Sequence, residues 1–382
     1  MVEMGNGTFV CDGCINDMHA FVEAAAREAA VAPIDGTLTP KAIVSFLNDY
    51  VIGQDAAKQT LALAVYNHYK RLGYQGPVEL AKSNVLVLGP TGTGKTLLAE
   101  SIARLLNVPF VVADATSLTQ AGYVGDDVET ILQRLLQAAG GDIAKAERGI
   151  VFIDEIDKLA KASAGASLTR DVSGEGVQQA LLKLIEGARV SVQVSGNRKA
   201  PGTAVNYIDT KNILFICGGA FTTLLEKLTQ PANKGTIGFT SAPAPAPDAA
   251  EVTPEKLFEF GLIPEFVGRL PVITVLEPLD AAAIERIIVE PKNAVVKQMA
   301  ELLALDGAKL VLEEGVVAAV AAKTLAMKTG ARGARGVLEG LLRTAMFEVP
   351  GTSNATVTVR ADLSVGIVYG DASNSESSRL AA

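Results

Sequence analysis

The residues of this chain that are best suited to chemistry lie in one short segment, which reads Gly-Pro-Thr-Gly-Thr-Gly-Lys-Thr. Glycines let the backbone wrap closely, so that its N–H groups can point at phosphate oxygens, and the start of a helix adds a favourable dipole there. The lysine would reach the β- and γ-phosphates, and the last threonine hydroxyl would hold Mg²⁺. The segment predicted to bind a nucleoside triphosphate consists of Gly89, Pro90, Thr91, Gly92, Thr93, Gly94, Lys95 and Thr96.

The flanking sequence makes this prediction specific. The apolar run 85–88 precedes the segment and has the composition of a buried strand. Apolar residues between 97 and 106 recur with the spacing of one helix face. The alternative, a glycine-rich turn that binds nothing, is disfavoured by this strand–loop–helix context.

A second apolar run, 150–153, ends in two carboxylates, Asp154 and Glu155. If this strand lies beside the one at 85–88, Asp154 would reach the Mg²⁺ shell and Glu155 would polarise the water that attacks the γ-phosphorus. The run follows the first segment by about 60 residues, which suits an intervening strand and helix. Asp157 and Lys158, which follow, are expected to be solvated.

The elements that position these groups alternate short β runs with helical patterns, which is typical of a parallel α/β sheet. The candidate strands are Asn84–Leu88, Pro109–Ala113, Ile150–Ile153, Ile213–Cys217 and Val272–Leu276. We predict an α/β fold in which a large domain, 38–280, has a parallel sheet with flanking helices. A small α-dominated C-terminal domain, 281–370, would follow. Residues 356–360 and 366–369 within it could form a small terminal sheet, and 371–382 would be a flexible tail.

Composition restricts the class of protein further. The 382 residues are 49% hydrophobic and 20% charged, as in globular proteins, and 34 Lys and Arg against 42 Asp and Glu give a net charge of −8. An acidic chain without a basic stretch argues against nucleic-acid binding as the main activity. The sequence has neither a long apolar stretch nor a secretory signal pattern, so we expect a cytoplasmic protein without membrane association.

Four further strings, together with the two motifs above, carry a family resemblance. They are Gly122-Tyr-Val-Gly-Asp-Asp-Val-Glu129, Arg170-Asp-Val-Ser-Gly-Glu-Gly-Val-Gln-Gln-Ala180, Leu214-Phe-Ile-Cys-Gly-Gly-Ala-Phe221 and Gly261-Leu-Ile-Pro-Glu-Phe-Val-Gly-Arg-Leu-Pro271. Over roughly residues 40 to 350 the chain resembles the ClpX family of AAA+ unfoldases. The resemblance implies an AAA+ P-loop NTPase fold and an ATPase that couples hydrolysis to protein unfolding and translocation, with ATP and Mg²⁺ as cofactors.

The resemblance also implies roles at the nucleotide. Arg269 would be the arginine finger that reaches a neighbouring subunit's γ-phosphate, and Arg332 would be the sensor-2 arginine, with Arg335 as the runner-up. Val51 and Ile52 would pack on the adenine, although capping and core roles suit these residue types equally well. Guanidinium groups are appropriate at phosphate because they stay charged and bond bidentately.

Roles in handling protein follow from the same resemblance. Tyr123 and Val124 would line the axial pore of a homo-hexamer, and Arg198 and Lys199 would lie at its entrance. Ile237, Gly238 and Phe239 would dock on the ClpP peptidase, since two apolar anchors in a polar loop are costly to expose without a partner. The expected substrates are unfolded or tagged proteins. The alternatives are a stand-alone chaperone without a peptidase and, less favoured, a nucleic-acid-associated AAA+ motor.

The N-terminal segment departs from the family. The family holds zinc with two Cys-x-x-Cys pairs, but this sequence has one pair, Cys11 and Cys14. His19 could be a third ligand, and a structural zinc site needs four. Either residues 1–36 are a truncated, metal-free remnant of the zinc domain, or the site is completed between chains; we expect no stable zinc.

Overall fold

The computed structural model of the protein describes residues 2–4, 8–10, 38–119, 126–160, 174–192, 206–229, 252–352 and 354–370. The strands are β1 (Val2–Met4), β2 (Thr8–Val10), β3 (Val85–Leu88), β4 (Phe110–Asp114), β5 (Leu118–Thr119), β6 (Asp126–Asp127), β7 (Ile150–Asp154), β8 (Arg189–Val192), β9 (Asn206–Asp209), β10 (Leu214–Gly219), β11 (Val272–Val275), β12 (Ala308–Leu312), β13 (Ala355–Val359) and β14 (Val365–Tyr369).

The helices are α1 (Pro40–Asn48), α2 (Asp55–Leu72), α3 (Lys95–Leu106), α4 (Thr130–Ala138), α5 (Ile143–Ala146), α6 (Glu175–Glu186), α7 (Thr222–Thr229), α8 (Pro254–Phe260), α9 (Pro264–Gly268), α10 (Ala281–Val289), α11 (Val295–Leu305), α12 (Val316–Ala326) and α13 (Arg332–Glu348). Single 3₁₀ turns lie at Ala115–Ser117, Ile156–Leu159 and Thr210–Asn212. In the part of the chain that the structure describes, no helix is both long and apolar enough to cross a membrane.

The central sheet has the strand order β11-β3-β10-β7-β4, and every neighbouring pair in it is parallel. Each of its strands was predicted from the sequence, so the predicted fold class is confirmed. Parallel strands share one carboxyl edge, and ligands of open α/β sheets bind outside that edge. The two strands are not neighbours, as the sequence analysis had supposed, because β10 lies between β3 and β7. The loop after β3 and the carboxylates that end β7 nevertheless come together at the shared edge.

The sheet is covered on both faces, which explains why its strands read as continuous apolar runs. Alternate residues of β3 and β7 belong to two separate hydrophobic clusters: Leu86 and Ile153 face one, and Val85 and Phe152 face the other. Side chains of α1, α2 and α3 complete the second cluster. The buried sheet thus forms a rigid base for its carboxyl edge.

A third cluster of buried apolar residues extends from Ile284 to Val359. We call α10–α13 together with β12–β14 the C-terminal unit. Its sheet has the order β12-β13-β14. The strand β12 is parallel to β13, and β14 is antiparallel to β13. The terminal sheet predicted from the sequence is present, and it has a third strand, β12, in a part of the α-dominated domain where no strand was predicted. A five-residue segment with four apolar residues cannot be assigned by periodicity, and its pairing with β13 decides its conformation.

A short antiparallel hairpin, β1–β2, lies at the N-terminus of the described residues and was not predicted. The domain boundaries given above stay predictions.

Candidate nucleotide-binding site

The loop Gly89–Thr96 connects β3 to α3 at the carboxyl edge of the sheet. The Gly89 N–H donates to the Gly219 carbonyl at the end of β10 (3.2 Å), which ties the loop to the neighbouring strand. Within the loop the Thr93 hydroxyl donates to the Pro90 carbonyl at 2.8 Å. These two hydrogen bonds hold the main chain of Gly89 and Pro90, and thereby fix the course of the loop towards α3.

Lys95 is the first residue of α3, and its side chain is buried. Its Nζ donates to the carbonyls of Gly89 (2.6 Å) and Pro90 (3.0 Å), so the amine lies inside the curve of the loop. Burial lowers the pKa of this amine, the carboxylates of Asp154 and Asp157 act to raise it, and the Arg332 guanidinium acts to lower it. The charged groups of Lys95, Asp154, Asp157 and Arg332 therefore lie close enough to interact electrostatically.

Thr96 and Asp154 meet at the end of β7. The Thr96 hydroxyl donates to Asp154 Oδ2 at 3.3 Å, and Asp154 Oδ1 accepts the Glu155 N–H at 2.9 Å. A hydroxyl and a carboxylate are the hard oxygen ligands that Mg²⁺ takes, and Mg²⁺ usually binds through one or two such groups plus water and phosphate. The residues present thus fit a Mg²⁺ ion. Among the described residues there is no group of three or more His, Cys, Asp or Glu that could hold a metal by itself.

Glu155 is exposed and has a φ of +57°, the left-handed conformation that a non-glycine residue rarely adopts. Such local strain persists where the surrounding structure fixes it, and it is frequent at functional sites. Here it turns the chain sharply between β7 and the 3₁₀ turn Ile156–Leu159. The Glu155 side chain lines the same cavity as Lys95 and Thr96.

That cavity has a volume of about 690 Å³. Most of the predicted nucleotide residues meet there, since the loop, the end of β7 and the start of α13 all contribute side chains. The lining residues are Thr91, Gly92, Gly94, Lys95, Thr96, Leu97, Glu100, Asp154, Glu155, Asp157, Lys158, Ala220, Thr222, Val295, Ala331, Arg332 and Arg335. Its size lies within the range of ligand-binding clefts.

Asp157 is the main correction to the sequence analysis, which expected it to be solvated. Its Oδ1 accepts the Ala220 N–H (3.1 Å) and its Oδ2 accepts the Phe221 N–H (3.4 Å). The carboxylate therefore joins the turn after β7 to the segment after β10. The sequence offered no signal for this contact, because it depends on two strands that become neighbours only in the sheet. Lys158 is exposed, as expected.

Arg332 and Arg335 lie in the first turn of α13, and both line the cavity. Arg335 also contacts its own unit: its Nε donates to Glu339 at 2.7 Å and its NH1 to Gln298 at 3.1 Å. The two arginines therefore differ in their surroundings, although both reach the cavity from the C-terminal unit.

Arg269 follows α9 and does not line the cavity of its own chain. Its side chain is 56% exposed and pairs with Glu186 at the end of α6 (NH2–Oε1, 2.8 Å). Its carbonyl accepts the Asn84 side-chain amide at 3.0 Å, which fixes the backbone beside β3. The guanidinium is thus presented at the surface on a well-anchored backbone.

Val51 and Ile52 precede α2 and are buried, with 5% and 7% exposure. Val51 belongs to the cluster beneath α1 and α2, and neither residue lines the cavity. Gln54, two residues after Ile52, forms two hydrogen bonds of 2.8 Å with the backbone of Glu277. This bond pair holds the start of α2 against the segment after β11. Adenine contact stays a prediction.

Nine predicted site residues lie outside the described residues: Cys11, Cys14, Tyr123, Val124, Arg198, Lys199, Ile237, Gly238 and Phe239.

The parallel sheet and the loop Gly89–Thr96 at its carboxyl edge define a P-loop ATPase. Residues 80–273 match the family described as AAA domain (Cdc48 subfamily). The chain is 50% identical over 371 residues to the ATP-dependent Clp protease ATP-binding subunit ClpX 3 of Methylococcus capsulatus, which covers 90% of this chain and 84% of that protein. It therefore belongs to the ClpX family of ATPases.

Two more relatives carry the name ATP-dependent Clp protease ATP-binding subunit ClpX. The one from Bacteroides thetaiotaomicron is 46% identical over 372 residues, covering 94% of this chain and 90% of the relative. The one from Porphyromonas gingivalis is 51% identical over 328 residues, covering 84% and 80%. The similarity thus extends well beyond the AAA domain.

Proposed function

We propose that this chain is an ATP-driven protein unfoldase and translocase that works as a homo-hexamer and delivers its substrates to the ClpP peptidase. The observation that carries the ATPase part is the Thr96–Asp154 contact of 3.3 Å beside Lys95 in one cavity. The names of the relatives, which describe them as ATP-binding subunits of the Clp protease, support the peptidase partner.

In the proposed mechanism, the loop N–H groups and Lys95 bind the phosphates. Thr96 and Asp154 would hold Mg²⁺, which supplies neutralisation of the charge on the β- and γ-phosphate oxygens. Glu155 accepts the proton of the attacking water, and its exposed side chain, which lines the cavity, supports that role. Arg332 binds the phosphates from the C-terminal unit, and Val51 and Ile52 contact the adenine.

Arg269 completes the site of a neighbouring subunit. Its side chain is exposed and does not line the cavity of its own chain, which supports a role at a site on another chain. Its ion pair with Glu186 orients the guanidinium while no neighbouring site engages it. Exposed ion pairs of this kind cost little free energy to break. The need for a neighbour's residue is the physical reason to expect a ring.

The substrate-handling residues are assigned by family resemblance. Tyr123 and Val124 would grip the polypeptide in the pore, because an aromatic ring presses on almost any side chain without sequence preference. Arg198 and Lys199 would attract a substrate's terminal carboxylate. Residues Ile237, Gly238 and Phe239 would dock on ClpP. Zinc binding by Cys11 and Cys14 is not part of the proposal.

The test is ATP-dependent degradation of a stable protein carrying a C-terminal tag, with ClpP, comparing wild type with Glu155→Gln. The variant keeps the shape of the side chain and removes its basicity, so we expect ATP binding to persist while hydrolysis and degradation are lost. Degradation by the variant at the wild-type rate would refute the role of Glu155. Wild-type ATPase activity without degradation would refute the proposed unfolding and delivery of substrates to ClpP and leave the ATPase part intact.

A further inference from the structure

The carboxylate of Glu186 contacts the Arg269 guanidinium along one of its edges. Arg269 Nε donates to Glu186 Oε1 at 2.9 Å, and Arg269 Nη2 forms an ion pair with the same oxygen at 2.8 Å. A guanidinium is planar and carries five N–H donors in a fixed arrangement. Since Nε and Nη2 form one edge of this plane, the edge formed by Nη1 and the second N–H of Nη2 points away from the carboxylate.

The Nη1–Nη2 edge of Arg269 suits a phosphate group on another chain. Arginine commonly binds phosphate through two parallel N–H···O bonds, and Nη1 and Nη2 supply such a pair of donors. The Arg269 side chain is 56% exposed, which leaves room for a ligand to approach. Because the carboxylate and a phosphate would use different edges, the ion pair with Glu186 can persist while a phosphate is bound.

The end of α6, which carries Glu186, is fixed by side chains that bind its last carbonyls. The Thr210 hydroxyl donates to the Leu184 carbonyl at 2.8 Å, and Lys82 Nζ donates to the Ile185 carbonyl at 3.1 Å. The last carbonyls of a helix have no partner within the helix, so these bonds supply one from outside. The Glu186 side chain therefore extends from a fixed backbone.

Asn84 connects the same end of α6 to the backbone of Arg269. Its side-chain amide donates to the Arg269 carbonyl at 3.0 Å and to the Ile185 carbonyl, next to Glu186, at 3.5 Å. Its side-chain oxygen accepts the Phe215 N–H at 3.3 Å, and the residue is buried at the start of β3. The main chains beside both charged groups are thus held against the central sheet at a fixed separation.

We propose that Glu186 is a positioning residue for Arg269: its carboxylate holds the Nε–Nη2 edge, so that the Nη1–Nη2 edge is presented to the γ-phosphate on the neighbouring subunit. The inference rests on the role proposed above for Arg269. An arginine side chain has several rotatable bonds, and restricting them in advance reduces the entropy lost when the phosphate is bound. Glu186 acts only through Arg269 in this role.

Glu186→Ala tests the proposal in steady-state ATPase kinetics. We expect kcat to fall about fivefold, equivalent to about 1 kcal/mol and the upper end for an exposed ion pair. The KM for ATP should stay unchanged, because a contact that matters only in the transition state lowers kcat and kcat/KM equally. A kcat above that of wild type would mean that the carboxylate withholds Arg269, and would overturn the proposal.

Glu186→Gln keeps an oxygen that accepts from Arg269 Nε and removes the charge. Its kcat should fall only about twofold, since a hydrogen bond without the charge is about half as strong. This variant also decides if Glu186→Ala does not fold. A kcat of Glu186→Gln equal to that of wild type would show that the charge does not position Arg269, and would count against the proposal.

Glu290→Ala is the matched control, because Glu290 forms another exposed ion pair with an arginine. Arg286 Nε lies 2.9 Å from Glu290 Oε1, and neither of these two described residues lines the cavity. We expect Glu290→Ala to keep the wild-type kcat. If Glu290→Ala and Glu186→Ala lose activity equally, the effect belongs to exposed ion pairs in general and the proposal fails.

A double-mutant cycle separates positioning from a structural role of Glu186. In the Arg269→Ala background, Glu186→Ala should leave kcat unchanged, because no guanidinium remains to be held. A further loss of about fivefold in that background would assign Glu186 to the structure of α6 and overturn the proposal.

The same cycle distinguishes this inference from the proposed function. Arg269→Ala with wild-type ATPase activity would refute the role of Arg269 and, with it, the positioning role of Glu186. Arg269→Ala that is inactive, beside a Glu186→Ala that hydrolyses ATP like wild type, would refute the positioning role alone.

Discussion

Asp157 offers the most direct test of how the site is held together. Its two carboxylate oxygens each accept one backbone N–H, from Ala220 at 3.1 Å and from Phe221 at 3.4 Å. Phe221 has a left-handed backbone, with a φ of +47°, and its ring is fully buried. The carboxylate thus holds a strained segment next to the cavity, and its loss leaves two N–H groups without their partner.

The magnitude follows from these two bonds. Hydrogen bonds to a charged group contribute about 1.5–3 kcal/mol each, and the longer one counts for less, so Asp157→Ala should cost about 2–4 kcal/mol. Asp157→Asn has one acceptor oxygen and no charge, so it should keep one weaker bond and cost about 1–2 kcal/mol. The expected order of stability is wild type, then asparagine, then alanine.

Hydrogen exchange of the peptide 218–223 measures this locally. Since 1.4 kcal/mol is a factor of ten, exchange should be faster by about 30- to 1,000-fold in Asp157→Ala and about 5- to 30-fold in Asp157→Asn. The ATPase rate should fall in the same order, because Glu155 starts the turn that carries Asp157. Asp306→Ala, at an exposed aspartate of the C-terminal unit, is the control. Asp157→Asn that exchanges like wild type would refute the two-acceptor arrangement.

Three more predictions follow from the same geometry. Arg269→Ala should lower the ATPase activity by about 10³-fold or more. Mixing this variant with Glu155→Gln should restore part of the activity, because in a mixed ring one subunit supplies Glu155 and its neighbour supplies Arg269. If mixed rings recover no activity, Arg269 does not act between subunits. Thr96→Ala should raise the Mg²⁺ concentration required for half-maximal ATPase, and an unchanged Mg²⁺ titration would contradict its role as a ligand. Burial lowers the pKa of His68 to about 3, so between that pH and 6.5 only the unfolded chain binds the proton, and stability falls as the pH falls through this window. Compared with His68→Gln, wild type should lose up to about 1.4 kcal/mol of its free energy of unfolding per pH unit, measured by thermal or denaturant unfolding. If wild type and His68→Gln lose stability in parallel as the pH falls, the buried imidazole of His68 is not held neutral.

The sequence was informative where chemistry depends on neighbours along the chain. The loop from Gly89 to Thr96 needs a strand before it and a helix after it, and all of this is local, so the prediction and the structure agree. The strand that ends in Asp154 was expected beside β3, but β10 lies between the two strands. Asp154 still comes close to the loop because the carboxyl ends of all the parallel strands share one sheet edge. The Thr96–Asp154 contact follows from these two facts.

The sequence was uninformative where a residue's environment depends on distant segments. Asp157 looked like a solvated side chain because its partners, the N–H groups of Ala220 and Phe221, are more than 60 residues away. The strand β12 was missed because a five-residue segment with four apolar residues fits a helix or a strand equally well, and its partner β13 comes more than 40 residues later. Local patterns do not contain such information.

By itself the sequence predicted that this chain binds a nucleoside triphosphate and which residues of the loop and of β7 would do so. It also carried the strings that tie the chain to the ClpX family. Only the tertiary structure decided that Arg332 enters the cavity while Arg269 lies outside it, and that Glu186 contacts Arg269. The physical reason is that spacing along the chain fixes local backbone geometry, whereas contacts across hundreds of residues are fixed by the packing of the sheet, the helices and the C-terminal unit.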